Sequence, residues 1–483
     1  MTKDPKHART TQGKSRTETD SFGSIEIPAT ALWGAQTQRS LEFFAIGDQA
    51  LPRGFIVALI QIKKACSKVN TSQGRISAEQ GRLITRACDQ LLAASQGPAQ
   101  APFTGQFPVS VWQTGSGTQS NMNVNEVVAN LANSFVGKGA GSKSPVHPND
   151  HVNCSQSSND VFPTAMHIYA VELLQQNLLP ELNTLRKELH NLERRWAQQL
   201  IAGRTHMMDA LPLTLGQVMG GYRYQVERAQ QQIEAALNGL LQLAIGGTAV
   251  GTGANAPKRF DREVCAELAQ QLQREFVPHA NKFAALSSQD ELLTAAHAVS
   301  ALAAVLQKLA NDIRLLGSGP NTAFGELQLP ANEPGSSIMP GKVNPTQCEA
   351  LTMVCIQAIV NGHAIESAVG QGQLQLNTYR PLMVKNFAEA VTLLADAMGS
   401  FTRHCLAGLE VNTATVERHL QANLMLVTFA APEVGYDNAS KIARYAAQHG
   451  GSIYAAAEAL DIMPAGQLQQ LVEARVRATI EPG

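Results

Sequence analysis

The chain has no excess of either charge. Its 38 lysines and arginines face 39 aspartates and glutamates, a net charge of −1. Without a basic bias, nucleic acid is not an expected partner. Clustered cysteine is also missing. The seven cysteines (Cys66, Cys88, Cys154, Cys265, Cys348, Cys355 and Cys405) are odd in number and widely spaced, with no Cys-x-x-Cys pair. That spacing suggests neither a zinc site nor an iron–sulfur cluster and fits reduced cytosolic thiols. Every long apolar run is broken by polar residues, so no transmembrane helix and no membrane partner are expected. Residues 1–19 lack the apolar core of a secretory signal. They hold Lys3, Lys6, Arg9, Lys14 and Arg16, while Asp4 and Glu18 interrupt any transit-peptide pattern. This stretch is expected to be a disordered tail, and the protein to be cytoplasmic.

What the chain does have is length and helical periodicity. Its 483 residues are long for one core and predict two to four domains. Hydrophobic residues at 44% and charged residues at 16% are ordinary for a soluble globular protein. Leu174, Leu178, Leu182, Leu185, Leu189, Leu192 and Trp196 recur at spacings of three and four, an apolar stripe on one helix face. Pro180 falls inside that stripe and predicts a kink. A second stripe runs through Val226, Ile233, Leu237 and Leu240, and a third helical stretch covers Glu291 to Leu316. The run from Gly246 to Ala256 is too rich in glycine for a helix interior. It matches neither the Walker pattern nor the dinucleotide fingerprint and reads as a tight loop. Shorter helices and a turn at Gly435-Tyr-Asp-Asn438 are expected after about Asn412. The fold class is mainly α.

The segment Gly335-Ser-Ser-Ile-Met-Pro-Gly-Lys-Val-Asn-Pro-Thr-Gln-Cys-Glu-Ala350 is chemically the richest. Gly335 and Gly341 permit unusual backbone conformations, and Pro340 and Pro345 break any helix or strand. The segment offers a hydroxyl that could move a proton, a fixed cation at Lys342, and an amide at Asn344 suited to carboxylate oxygens. An ordinary Gly/Pro surface loop would have the same composition. Three more polar clusters stand out. In Thr114-Gly-Ser-Gly-Thr-Gln119, glycines interleaved with hydroxyls let backbone N–H and side-chain O–H groups converge on an anion; a simple turn opening a helix is the alternative. Ser157-Ser158-Asn159-Asp160 precedes the central helix, where these residue types cap N-termini and the free N–H groups also attract a carboxylate. Gly203-Arg-Thr-His-Met-Met-Asp209 contains a lone histidine, a type more often structural than catalytic.

The run beginning at Gly335 resembles the mobile substrate loop of the fumarase/aspartase superfamily, whose pattern is GSSxMPxKxNP. The ending Thr346-Gln347-Cys348-Glu349 is similar to class II fumarases rather than aspartases. His206 points the same way, because aspartases generally have glutamine there. The resemblance runs from about Asp20 to the C-terminus. It implies three mostly helical domains with a central bundle of long helices: residues 20–157, 158–411 and 412–483, after the tail 1–19. It also implies a homotetramer with shared active sites, reversible hydration of fumarate to (S)-malate in the tricarboxylic acid cycle, and no cofactor or catalytic metal. The family's catalytic base corresponds to Ser336, and His206 would pair with Glu349. Substrate contacts carry over to Ser116, Gly117, Thr118, Ser157, Ser158, Asn159, Thr205, Ser337, Lys342, Val343 and Asn344. His147-Pro148-Asn149-Asp150 resembles a second dicarboxylate site, but fumarases commonly carry arginine where this chain has Ser144; Lys143 is no guanidinium fork. Gln375 also departs from the family's usual glutamate, which would remove a charge from the central bundle. Rival readings are an aspartate ammonia-lyase or other superfamily lyase, and a non-catalytic relative such as the lens crystallins.

Overall fold

The computed structural model describes residues 14–97 and 103–480. Among them are seventeen α-helices and eight short strands, the strands paired in four two-stranded sheets. The chain divides into two compact units. The first comprises Met1–Leu178, Gln232–Ser300 and Gln357–Thr392, and the second Leu179–Gln231, Ala301–Ile356 and Leu393–Gly483.

In the first unit, helix Arg53–Ser72 buries Phe55, Leu59, Ile62 and Cys66 at spacings of three and four, so one face points into the core. Helix Ala78–Ala94 starts on a capping box, with Ser77 accepting from the Gln80 amide and Gln80 reaching back to the Ser77 amide. Phe55 packs on Phe162 of helix Ser158–Glu172 with ring centroids 4.6 Å apart. The expectation of a tail over 1–19 needs correction. Residues 1–13 lie outside the described residues, but Ser15–Asp20 is a strand paired antiparallel with Gly23–Pro28. Arg16 locks it in place by donating to Glu18 and to the carbonyls of Ala31 and Trp33. A polar composition concealed the strand because its apolar partners, Ile25 and Ile27, lie on the second strand.

In the second unit, helix Leu179–Arg195 buries Leu182, Leu185, Leu189 and Leu192, as the stripe predicts. The irregularity expected at Pro180 takes the form of a π-helical stretch over Leu173–Leu178 just before it. Proline supplies no N–H and crowds the preceding turn, so that turn widens. The C-terminal helices enclose their own core, which includes Leu426, Ala430, Ile442, Ile453, Leu468 and Val472. The expected four-residue turn there is shorter. Gly435, at φ +81°, reverses the chain alone, and a helix runs from Tyr436 to His449.

Helices Asp290–Leu316 and Thr346–Val369 reach the length and apolarity of a bilayer span. They do so by length and average composition alone, a test that core helices also pass, and 50% and 39% of the two apolar stretches are buried inside the protein. All seven cysteines are free, and all are buried except the half-buried Cys154.

Candidate active site

Two of the predicted anion segments lie in the first unit. Helix Thr118–Ser134 opens from Gly117 in the left-handed conformation, φ +79°. A Cβ there would meet the Phe162 ring at 2.0 Å, so glycine is required twice over. Ser116 and Thr118 share a hydrogen bond of 2.9 Å. Nearby, Ser157 caps helix Ser158–Glu172, and Asp160 returns the bond to the Ser157 amide at 2.9 Å. Ser158 Oγ accepts from Asn121 at 3.1 Å, which leaves its own proton free to donate. The Asn159 side chain donates to the Ala249 carbonyl at 2.8 Å.

Beneath these segments is a buried polar network that sequence reasoning missed. Lys63, Asp160 and Arg380 are each 0% exposed. Lys63 Nζ donates to Asn153 Oδ1 and Gln156 Oε1, both at 2.9 Å, and Asn153 also accepts from Asn121. Asp160 accepts from the amides of Gly246 and Thr248 at 2.9 Å each. Arg380 donates through Nη1 to the Asn159 carbonyl at 2.9 Å and through Nη2 to the Leu286 carbonyl at 2.7 Å. Its backbone amide donates to the Gly115 carbonyl at 3.2 Å. Burial pushes the Asp160 carboxyl up to about 6, partly offset by its backbone donors. Burial also pushes the Lys63 ammonium down to about 8 and the Arg380 guanidinium down to about 9. The available signal was a charged residue inside an apolar stripe, at Lys63.

The second unit presents Thr205 and His206 on a hairpin of strands Leu200–Thr205 and Met208–Thr214. His206 and Met207 form its two-residue tip with φ of +54° and +63°, values that suit the right-handed twist of a hairpin but are uncommon outside glycine and asparagine. The tip is exposed. Its base is anchored by Glu326, 2% exposed, which accepts from both Arg204 and His419. Arg204 also stacks over the Phe324 ring, 4.6 Å from its centroid. Arg204, Glu326 and His419 are dispersed in sequence, and no motif announced them.

Residues 335–345 form the loop that their glycines and prolines predict, and it is closed on itself. The Gly335 amide donates to the Lys342 carbonyl at 3.0 Å, and a Cβ on Gly335 would stand 2.2 Å from that oxygen. Ser336 Oγ accepts from the amides of Ile338 and Met339, at 3.3 and 3.1 Å. Ile338 is 83% exposed, and Ser337, Lys342 and Val343 are also exposed. Asn344 donates to the Gly335 carbonyl. Helix Thr346–Val369 follows directly, which places Glu349 in its first turn. Within one chain Glu349 pairs with Arg314 at 3.3 Å. It does not pair with His206; among the described residues, His206 makes no hydrogen bond or ion pair within the chain.

His147-Pro148-Asn149-Asp150 forms one tight turn. His147 Nδ1 accepts from the amides of Asn149 and Asp150, so it holds no proton for Asp150 Oδ2 3.3 Å away. Lys143 is committed to the Thr19 carbonyl at 2.6 Å. A cavity of about 40 Å³ beside the turn is lined by Glu18, Asp20 and Glu126 as well as Lys143 and His147. Those carboxylates disfavour an anion. Gln375 corrects another expectation. It lies exposed in the connection before helix Arg380–His404, outside any buried ion pair, because Gly372 and the Gln373–Leu376 bridge turn the chain there.

The first unit thus presents glycine-cradled hydroxyls and a capped helix N-terminus, and the second a serine wrapped in backbone amides. The family described as Lyase matches residues 23–360, and the one described as Fumarase C C-terminus matches residues 426–476. The class II fumarate hydratase of Thermosynechococcus vestitus is 50% identical over 95% of this chain and 97% of its own length. That of Pseudomonas syringae pv. tomato is 51% identical over 92% and 95%. The crystal structure of class II fumarase from Schistosoma mansoni superposes with a TM-score of 0.91 at 38% identity, covering 95% of this chain and 98% of that one. The chain therefore belongs to the class II fumarases of the fumarase/aspartase superfamily and has that superfamily's fold.

Proposed function

We propose that this protein is a fumarate hydratase, adding water reversibly to fumarate to give (S)-malate. The observation that carries this is the half-identity to class II fumarate hydratases along nearly the whole chain. The reaction is difficult because the proton removed from malate lies beside a carboxylate, and its loss creates a dianionic aci-carboxylate. Positioned donors and cations must meet that charge. In this reading Ser336 takes the C3 proton. An unperturbed serine is a poor base, so it must act as an alkoxide; the two amides already aimed at its oxygen support that role. Lys342 and Asn344 face the aci-carboxylate. Ser116, Thr118, Ser158 and Asn159 hold the substrate. His206, oriented by a carboxylate partner, handles the departing hydroxyl or incoming water.

The histidine's partner carboxylate belongs to another subunit in this reading. Among the described residues His206 has no partner in its own chain, and it sits at an exposed hairpin tip. Helix Thr346–Val369 also exposes Met353, Ile356 and Val360 at 65%, 53% and 53%, a stripe at helical spacing that further copies of the chain would cover in a homotetramer. The separate core over Leu426–Val476 supports a domain boundary near residue 411. Cytoplasmic placement belongs to the same reading, supported by seven unpaired thiols. The test is to offer fumarate with and without ammonia and identify the product. Malate formed without ammonia is expected; aspartate in place of malate would overturn the assignment.

A further inference from the structure

The buried network of the first unit is not balanced in charge. Lys63 and Arg380 carry two positive charges, and among the described residues Asp160 is the one carboxylate that opposes both. Lys282, the next cation in the neighbourhood, is already paired with Asp261 at 3.5 Å. Arg380 bonds only to neutral carbonyls, and its Nε is buried with no partner among the described residues. Burying an unmatched charge is costly, and apolar replacements of such groups are often as stable. A fold has little reason to keep one unless a ligand uses it.

The placement supplies the reason. Arg380 ties together the two anion segments, holding Gly115 through its backbone and Asn159 through its side chain. Lys63 reaches the same floor through Asn153, Asn121 and Ser158 in series. We propose that Lys63 and Arg380 are positioning residues of the dicarboxylate site, fixing the Gly115–Thr118 and Ser157–Asn159 segments and holding beneath them a positive charge that the bound dianion balances. This rests on the functional reading above and adds residues that touch no substrate.

Lysine also separates charge from geometry, since a neutral amine still donates hydrogen bonds. The titratable groups around Lys63 are Asp160, Cys66 and Cys88, with Cys154 and Cys265 beyond Cys66. As pH rises through about 8, Lys63 loses its proton and the net buried charge falls from +1 to zero. Dianion binding should weaken over that range while the hydrogen bonds persist.

The experiment uses the full-length protein and three variants, Lys63→Met, Arg380→Met and Arg380→Lys. Succinate, an unreactive dicarboxylate, serves as the binding probe. At pH 7, Lys63→Met and Arg380→Met should raise both the fumarate KM and the succinate Kd at least about tenfold, well within the scale of one unit charge near a dianion at an effective dielectric of about 20. Their kcat should fall much less, and Arg380→Lys, which keeps the charge but not the two-pronged contact, should bind succinate more tightly than Arg380→Met and less tightly than wild type. Wild-type succinate binding should weaken between about pH 7 and 8.5, below the Arg380 value of about 9, and this limb should be clearly shallower in Lys63→Met. A folded neutral variant that binds succinate as tightly as wild type overturns the proposal. So does failure of both neutral variants to fold, because the charge then serves the fold. A wild type that neither hydrates fumarate nor binds succinate refutes the functional reading itself, and is recognised before any variant is made.

Discussion

Replacing Gly115 by alanine should disable the enzyme while leaving it folded. The new Cβ would stand 1.3 Å from the carbonyl oxygen of Thr378. A comfortable carbon–oxygen approach is about 3.3 Å, so the two strands of chain must part by roughly 2 Å. No rotamer can relieve the clash, since both partners are backbone. The separation breaks the bond from the Arg380 amide to the Gly115 carbonyl, now 3.2 Å. Losing that bond costs about 0.5–1.5 kcal/mol. Residual overpacking adds about 1–3 kcal/mol. A domain can survive a loss of that size. Catalysis is less tolerant, because a misplacement of about 1 Å can cost about 10²-fold in rate. Ser116 and Thr118 ride on the displaced segment, so kcat/KM for fumarate should drop at least about 10²-fold. Loss of fumarate absorbance gives the rate, and urea unfolding gives the stability. Gly74→Ala is the control: φ is +69°, but nothing lies within 4 Å of the added carbon. It should cost about 1–2 kcal/mol of backbone strain and leave kcat/KM alone. A folded Gly115→Ala chain with wild-type kcat/KM would refute the argument.

Ser336→Ala should lower kcat by at least about 10²-fold with a smaller change in KM, and Ser337→Ala should be milder; steady-state kinetics giving the reverse order would mean that the wrong hydroxyl has been chosen. Lys63 also predicts a pH dependence of stability. Its folded value of about 8 lies below the ordinary 10.5, so between those limits the unfolded chain binds more protons and stability rises with pH. Urea unfolding of wild type relative to Lys63→Met should show a gain on the order of 3 kcal/mol across that window, at about 1.4 kcal/mol per pH unit, and a flat difference would contradict it. Mixing dissociated His206→Asn and Ser336→Ala chains should restore activity toward about a quarter of wild type, the share of sites left intact by random assembly of symmetric tetramers. Mixed tetramers with no recovered activity would put His206 and Ser336 in one subunit's site.

The helical stripes and the capped start at Ser157 were legible because they depend on local spacing and local hydrogen bonding. Leu182 to Leu192 and the Ser157–Asp160 box fall where periodicity and residue type placed them. The loop at Gly335 was legible for the same reason, as its closure needs only Gly335, Lys342 and Asn344. The Glu326 anchor was not, because Arg204 and His419 reach it across 122 and 93 residues. Arg380 was hidden in another way. An arginine after a polar loop reads as solvent-exposed, and only tertiary packing makes it one of the largest fully buried side chains of the chain. The strand at Ser15–Asp20 escaped because an edge strand of polar residues has a tail's composition.

The uneven burial of the thiols has a practical use. Burial pushes the Cys88, Cys265 and Cys355 thiols up to about 12 and Cys66 higher still, while Cys348 and Cys405 are sealed from solvent. Only Cys154 is half-open, and it stands three residues before Ser157. Thiolate formation and access govern labelling. A maleimide fluorophore should therefore attach once per chain without any engineered cysteine. It would sit on the backbone leading into the capped helix, where an optical signal can follow ligand occupancy in real time.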